Sequence, residues 1–168
     1  MLPSWGLNSK GNWFRGRVII MGIRSVKFII DSNLENVPLI GMSVNKLCSL
    51  TSFSDIDSFS IELCVVEAVT NSIRHSCCGE SGHDIKVIFT LTQEDVTFDI
   101  CDAGACPLNP EVLDKAVIKP PGINISDIEG IAEGGRGLGI MKEIMDSVTY
   151  RSEEGENCMT LVKKLPKK

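Results

Sequence analysis

The sequence lacks the cysteine patterns that mark several classes of protein. Its seven cysteines are odd in number and include no C-x-x-C pair and no zinc-ligand spacing. We therefore expect neither a structural zinc site nor a disulfide framework. The sequence predicts thiols, several of them buried, in a protein of the reducing cytoplasm.

The sequence also lacks an excess of basic residues and a long apolar run, and both absences limit the partners that it could bind. Seventeen basic against twenty-two acidic side chains leave a net charge of −5, which argues against a broad nucleic-acid-binding surface. No apolar run has the length of a membrane span, and the longest early run, Val18 to Ile23, is followed by Arg24. Direct contact with nucleic acid or a membrane is not predicted.

A length of 168 residues fits one domain with a substantial core. Residues 1–20 hold both tryptophans among glycine, serine and asparagine and show no periodicity, so we expect a poorly ordered leader. The domain is predicted to occupy residues 21–168, and Met21 is a candidate native start. Intact-mass measurement of protein made from the native gene would test that start.

Hydrophobic periodicity predicts the order of strands and helices along the chain. Alternation predicts strands at Ser25–Ile30, Ile85–Leu91, Val96–Ile100, Val148–Ser152 and Cys158–Lys164. Helical spacing predicts helices at Leu34–Leu50, from a cap at Ser54 or Asp55 to near Gly79, at Glu111–Val117 and up to Asp146. Because hairpins replace regular strand–helix alternation, we predict an α/β (α+β) two-layer sandwich, with helices on one face of a largely antiparallel sheet.

The second of these helices contains the most informative residues. Its expected core stripe is Ile56, Phe59, Leu63, Val66, Thr70 and Ile73. Glu67 and Asn71 lie one turn apart, with apolar residues on both sides. A carboxylate and an amide in such surroundings need a metal ion, a ligand or a structural hydrogen-bond network as partner.

Two more motifs follow the helix. Asp102-Ala103-Gly104 ends a predicted strand, where an aspartate can accept a hydrogen bond from an exocyclic amine and glycine lets a flat ring approach. An ordinary Asp-Gly turn is the structural alternative.

The second motif, Gly134-Gly135-Arg136-Gly137-Leu138-Gly139, precedes a predicted helix, where exposed N–H groups and the helix dipole suit a phosphate chain. It is neither a P-loop nor a dinucleotide fingerprint, and a flexible hinge is its alternative.

Together the motifs describe a nucleotide pocket. Asn71 would supply an oxygen to Mg²⁺. Glu67 is placed to take a proton from an attacking hydroxyl or water.

The order E-x-x-x-N, D-x-G and G-G-R-G-L-G resembles the GHKL ATPases, which bind ATP in a Bergerat fold. More narrowly, the segments Glu67–His75, Glu133–Met141 and Gly155–Leu161 resemble the anti-sigma-factor serine kinases of bacteria, and the resemblance runs from about Ile23 to Leu165. It implies an ATP-dependent kinase that phosphorylates a serine of a small anti-sigma-antagonist protein and can bind a sigma factor instead. It also implies a homodimer through the early strand and helix.

The resemblance also assigns residues. Glu67 would be the catalytic base, Asn71 the magnesium ligand and Asp102 the adenine contact. Gly104 would line the adenine pocket, while Gly135, Arg136, Gly137, Leu138 and Gly139 would surround the phosphates. Arg74 and His75 would lie near the phosphates or the partner, although His75 could equally be a packing residue.

One departure from the family is Ala105-Cys106-Pro107 after D-x-G. Cys106 would lie near the adenine pocket, and a thiol switch there is a hypothesis, although no neighbour in sequence lowers its pKa. Residues Asn124 to Glu133 would form a mobile lid over ATP.

Two other functions fit the motifs. One is a regulatory module that holds a sigma factor or another partner and uses ATP only as a conformational ligand. The other is the detached ATP-binding part of a histidine kinase. The chain before Asp55 contains no histidine, so that segment has no phospho-acceptor helix, which disfavours the latter.

Overall fold

The computed structural model describes residues 4–7, 13–16, 22–116 and 134–167. Five antiparallel strands form one sheet in the order β3-β4-β5-β7-β6. These are β3 (Arg24–Asp31), β4 (Asp84–Leu91), β5 (Asp95–Asp102), β6 (Ser147–Glu153) and β7 (Glu156–Lys164). The predicted antiparallel sheet is confirmed.

Two short strands, β1 (Ser4–Leu7) and β2 (Trp13–Gly16), pair with each other in the segment expected to be poorly ordered. Backbone hydrogen bonds pair strands without requiring the apolar alternation on which the expectation depended. The domain boundary at residue 21 stays a prediction.

Four helices accompany the sheet within the described ranges: α1 (Val37–Cys48), α2 (Asp55–Asn71), α3 (Pro110–Lys115) and α4 (Gly134–Ile144). A 3₁₀ turn at Leu34–Asn36 precedes α1, because a proline in the first helical turn fixes where the α-helix starts. The predicted cap of α2 is Ser54, whose Oγ accepts a hydrogen bond from the Asp57 backbone N at 3.1 Å. The carboxylate of Asp57 accepts one in return from the Ser54 backbone N at 3.2 Å.

The core lies between one sheet face and the helices. Alternate residues of β4 and β5 are buried there, namely Ile85, Val87, Phe89, Val96, Phe98 and Ile100. Helix α2 contacts β5 and β7, and both α1 and α4 pack against α2. On the opposite face, polar side chains such as Lys86 and Glu156 form an ion pair at 2.9 Å. This is the predicted two-layer sandwich.

The predicted core stripe of α2 is wrong, because only Ile73 of its six residues is fully buried. Ile56 and Phe59 are 80% and 64% exposed, whereas Ile61, Val65 and Ala68 face the sheet. Because α2 is apolar on two flanks, periodicity alone could not decide which flank would be covered.

The cysteine prediction also needs a correction. Cys101 and Cys158 are directly opposite each other in β5 and β7 and form a disulfide. Their 57-residue separation in sequence hides a contact that only strand register creates. Cys48, Cys64 and Cys77 are free and buried as expected, and burial raises the pKa of the Cys48 and Cys64 thiols to about 12. No helix in the described ranges is long and apolar enough to cross a membrane.

Candidate functional site

Glu67 is held where α2 crosses the start of α4. Its side chain is half-buried, and its Oε2 lies so close to Gly137 that a Cβ on residue 137 would overlap it. A larger residue here would push the flexible end of the Glu67 side chain aside, so glycine lets the carboxylate stay at this crossing. Among the side chains that the structure describes, none donates a hydrogen bond to the Glu67 carboxylate.

Asn71 is the last residue of α2 and lines a cavity of about 630 Å³. Its half-buried amide has no side-chain hydrogen bond among the residues that the structure describes. The cavity has the size of a small-molecule site. Its walls include apolar side chains and a few polar ones: Ala68, Ser72, Ser76, Ile100, Asp102, Leu108, Val112, Leu138, Tyr150 and Met159.

A π-helical turn, Ser72–Ser76, continues α2 beyond Asn71. Such turns are rare and are frequent at functional sites. This turn directs two serine hydroxyls, those of Ser72 and Ser76, at the Asp102 carboxylate. It also leaves Arg74 and His75 exposed on the cavity wall.

Asp102, at the end of β5, is the buried polar centre of the cavity and is only 5% exposed. Its Oδ1 accepts hydrogen bonds from Ser76 Oγ at 2.5 Å, Gly104 N at 2.9 Å and Asn157 Nδ2 at 3.0 Å. Its Oδ2 accepts one from Ser72 Oγ. Four donors compensate the desolvation of this carboxylate and fix its orientation.

Gly104 packs against the π-turn. A Cβ at this position would overlap the backbone carbonyl and the hydroxyl of Ser76, so the chain can follow this path only with glycine. The cavity is lined by Asp102 and Cys106 on either side of Gly104. Contact of Gly104 itself with a bound ring stays a prediction.

The glycine-rich motif is helical. Gly134, Gly135, Gly137 and Gly139 belong to the first turns of α4, whereas the sequence predicts a loop before the helix. Leu138 is 2% exposed and lines the cavity. The side chain of Arg136 and the predicted lid, Asn124 to Glu133, lie outside the described residues, so their roles stay predictions.

Sequence reasoning missed three residues of the site. Asn157 joins Asp102 to the Gly104 carbonyl, to which its Nδ2 donates at 2.8 Å. The Tyr150 hydroxyl accepts a hydrogen bond from Leu108 N at 2.9 Å, and burial raises its pKa. Ser76 connects the π-turn to the end of β5. The four-residue spacing of Ser72 and Ser76 just after Asn71 is a signal that could have indicated two hydroxyls on one side of the turn.

Comparisons with known proteins find a family model and several relatives. A family model described as "Histidine kinase-like ATPase domain" matches residues 30–163. The chain is 24% identical over 132 residues to the serine-protein kinase RsbW of Bacillus pumilus, covering 77% of this chain and 80% of that one. It is 29% identical over 121 residues to the serine-protein kinase RsbW of Listeria monocytogenes, covering 72% and 75%.

A solved structure, that of the RsbU and RsbW domains of Rv1364c from Mycobacterium tuberculosis, has a TM-score of 0.58 and 13% identity to this chain. The match spans 86% of this chain and 33% of that longer one. At this identity the likeness concerns the fold alone.

Proposed function

The chain belongs to the family of histidine kinase-like ATPase domains, and from this premise we propose that it is an ATP-dependent serine protein kinase. Its substrate would be a small anti-sigma-antagonist protein, and a sigma factor would be its alternative partner. The family of ATPase domains supports ATP as the nucleotide, and relatives named as serine-protein kinases support the class of reaction.

One observation carries the proposal. Helix α2 presents Glu67 and Asn71 one turn apart, and Asn71 lines a cavity that also contains the buried Asp102 carboxylate. An acceptor for the adenine amine (Asp102), apolar side chains for its ring (Ile100, Met159) and an amide for the phosphate-bound cation (Asn71) would then be available in one cavity.

Asp102 would recognise adenine. Its Oδ1 accepts from three donors and its Oδ2 only from Ser72, so Oδ2 is the oxygen that would accept from the adenine amine. Ser72, the donor to Oδ2, is half-buried, while Ser76 and Asn157 are buried. Ile100, Leu138 and Met159 would contact the faces of the ring.

The phosphates would extend towards Asn71 and the first turns of α4. The helix N-terminus favours an anion there. The half-buried amide of Asn71 fits a magnesium ligand, and Arg136 could pair with a phosphate. Bound Mg²⁺ would neutralise phosphate charge.

Glu67 would act as the general base. As the partner's serine oxygen attacks the terminal phosphorus, the carboxylate accepts the hydroxyl proton, the phosphoryl group passes to the serine and ADP leaves. Gly137 keeps the carboxylate at the start of α4, close to where the phosphates would lie.

A homodimer through β3 and α1 is part of the proposal. Strand β3 is an edge of the sheet, and its Ile29 is 56% exposed. Leu39 and Met42 of α1 are 56% and 62% exposed. An unpaired edge strand and neighbouring exposed apolar residues are features that a second copy could cover. A cytoplasmic location is proposed with this function.

The test is incubation with labelled ATP and a candidate anti-sigma-antagonist protein from the same organism, followed by mapping of the phosphorylated residue. We expect phosphoserine on the antagonist. Nucleotide binding without any transfer would instead support the regulatory module, and phosphohistidine would support a histidine-kinase module.

A further inference from the structure

Two exposed cysteines meet at the mouth of the cavity. Cys78 follows the π-turn, Cys106 follows the D-x-G motif, and both line the cavity. Their Sγ atoms are 3.0 Å apart, although the residues are 28 positions apart in sequence. A disulfide has an S–S length of about 2.05 Å, so a movement of about 1 Å would join them.

The two segments already touch beside the cysteines. The Cys106 backbone N donates a hydrogen bond to the Ser76 carbonyl at 3.3 Å, and Gly104 packs against the same carbonyl. A bond between the sulfurs would therefore need no rearrangement of the fold. Two walls of the cavity that now meet through a long hydrogen bond and a packing contact would then also be joined by a covalent bond.

The backbone at Cys78 has an uncommon conformation. Its φ of 56° lies in the left-handed region, which residues with a Cβ rarely adopt, and Gly79 follows with φ 74°. This turn directs the Cys78 side chain to Cys106. The hydrogen bond between the thiols raises the pKa of Cys78.

We propose that Cys78 and Cys106 are a reversible oxidation site, a disulfide clasp that slows nucleotide exchange when a peroxide is present. The bond itself is independent of the proposed function, whereas its effect on the nucleotide rests on it. The oxidant is hydrogen peroxide, and thiols of the cytoplasm would restore the pair by exchange.

The chemistry balances in two steps. The sulfur of Cys106, as thiolate, attacks one peroxide oxygen; the O–O bond breaks, Cys106 becomes a sulfenic acid and hydroxide leaves to take up the thiol proton as water. The sulfur of Cys78 then attacks the Cys106 sulfur, the S–O bond breaks, and a second water leaves with the Cys78 proton. Two thiols lose two electrons, which reduce one peroxide to two waters.

The closing experiment treats the reduced protein with a small excess of hydrogen peroxide and reads two signals. Peptide mapping by mass spectrometry identifies the linked cysteines, and release of a fluorescent ATP analogue reports exchange. We expect a Cys78–Cys106 link, about tenfold slower release because the cavity mouth cannot widen, and recovery with dithiothreitol.

Variants separate the bond from other oxidation. Cys78→Ser should leave Cys106 as a sulfenic acid that dimedone labels, with release unchanged by peroxide. Cys77→Ala, which removes the adjacent buried cysteine and keeps the pair, should respond as the unmodified chain does.

Absence of the Cys78–Cys106 peptide would overturn the oxidation site, and a mapped bond with unchanged release would overturn the clasp. If the reduced protein binds no ATP analogue, the proposed function and the clasp both fail. The mapped bond would then still decide whether the oxidation site exists.

Discussion

The candidate site has two carboxylate regions, the Asp102 end inside the cavity and the Glu67 end where α2 crosses α4, and they differ in how fully their polar groups are paired. At the Asp102 end, a buried carboxylate accepts from four donors, and Gly104 packs against backbone. At the Glu67 end, a half-buried carboxylate has no donor among the described residues, and Gly137 makes room for its side chain.

Under the proposed function, this difference separates two tasks. A carboxylate that recognises a ring must be held in one orientation, and fixed hydrogen bonds provide that. A carboxylate that accepts a proton must stay free to meet its substrate. Stability should therefore depend on the Asp102 end, and turnover on the Glu67 end.

The largest expected effect tests the Glu67 end. Glu67→Gln keeps the size of the side chain but removes the base, so phosphate transfer to the antagonist should fall by roughly 10²–10⁴-fold while ATP affinity stays the same. Single-turnover transfer and calorimetric binding, measured on the same preparation, check this. An equal loss of binding and turnover would make Glu67 a structural carboxylate.

Substitutions of Gly104 and Gly137 compare the rigidity of the Asp102 end with that of the Glu67 end. Gly104→Ala should lower the free energy of unfolding by about 3 kcal/mol or more, because its Cβ meets the Ser76 backbone, which cannot move alone. Gly137→Ala meets the end of a flexible side chain, so stability should change by about 1 kcal/mol or less. Denaturant unfolding of both variants measures this.

The same Gly137→Ala variant should nevertheless slow phosphate transfer, by about 10²-fold, because the displaced carboxylate no longer meets the serine hydroxyl. If Gly137→Ala lost more stability than Gly104→Ala, the assignment of rigidity to the Asp102 end would be wrong.

Asp102→Asn comes next. The amide replaces a charged acceptor facing four donors, which should cost about 1.5–3 kcal/mol of stability. It should also weaken the preference for ATP over GTP, since the exocyclic amine loses its charged acceptor. Chemical unfolding and nucleotide competition are the measurements. An unchanged base preference would remove Asp102 from the adenine role.

The smallest effect is expected from a control substitution that lies far from both Asp102 and Glu67. Ser54→Ala removes the capping box of α2 and should cost about 1 kcal/mol without altering the ATP preference. The Ser54 hydrogen bond lowers the pKa of the exposed Asp57 below its ordinary 3.8. The stabilisation that the Ser54–Asp57 hydrogen bond provides is therefore present above pH 3.8 and is lost as the pH falls through the lowered pKa of Asp57. The difference between Ser54→Ala and the unmodified chain should shrink in acid, and urea unfolding at several pH values would reveal this.

Local patterns predicted the architecture well. Alternation in β4 and β5 and the cap of α2, predicted at Ser54 or Asp55 and found at Ser54, depend on neighbours in sequence, and the structure confirms them. The covered flank of α2 and the Cys101–Cys158 bond depend on what packs or pairs from far along the chain. Such contacts leave no periodic signal in one sequence.

The site divides in the same way. Glu67, Asn71 and Asp102 were predicted because a polar residue in an apolar helix or at a strand end demands a partner. Ser76 and Asn157, the partners of Asp102, come from a π-turn and a distant hairpin strand. Their hydrogen bonds exist only in the folded arrangement, which local sequence does not encode.

We propose a site in which Asp102 recognises adenine and Glu67 accepts the proton. Its most direct test is calorimetric titration of the folded protein with ATP and magnesium. We expect saturable binding that Glu67→Gln retains and Asp102→Asn weakens. The absence of any heat of binding in the unmodified chain, with its fold confirmed by circular dichroism, would contradict the account.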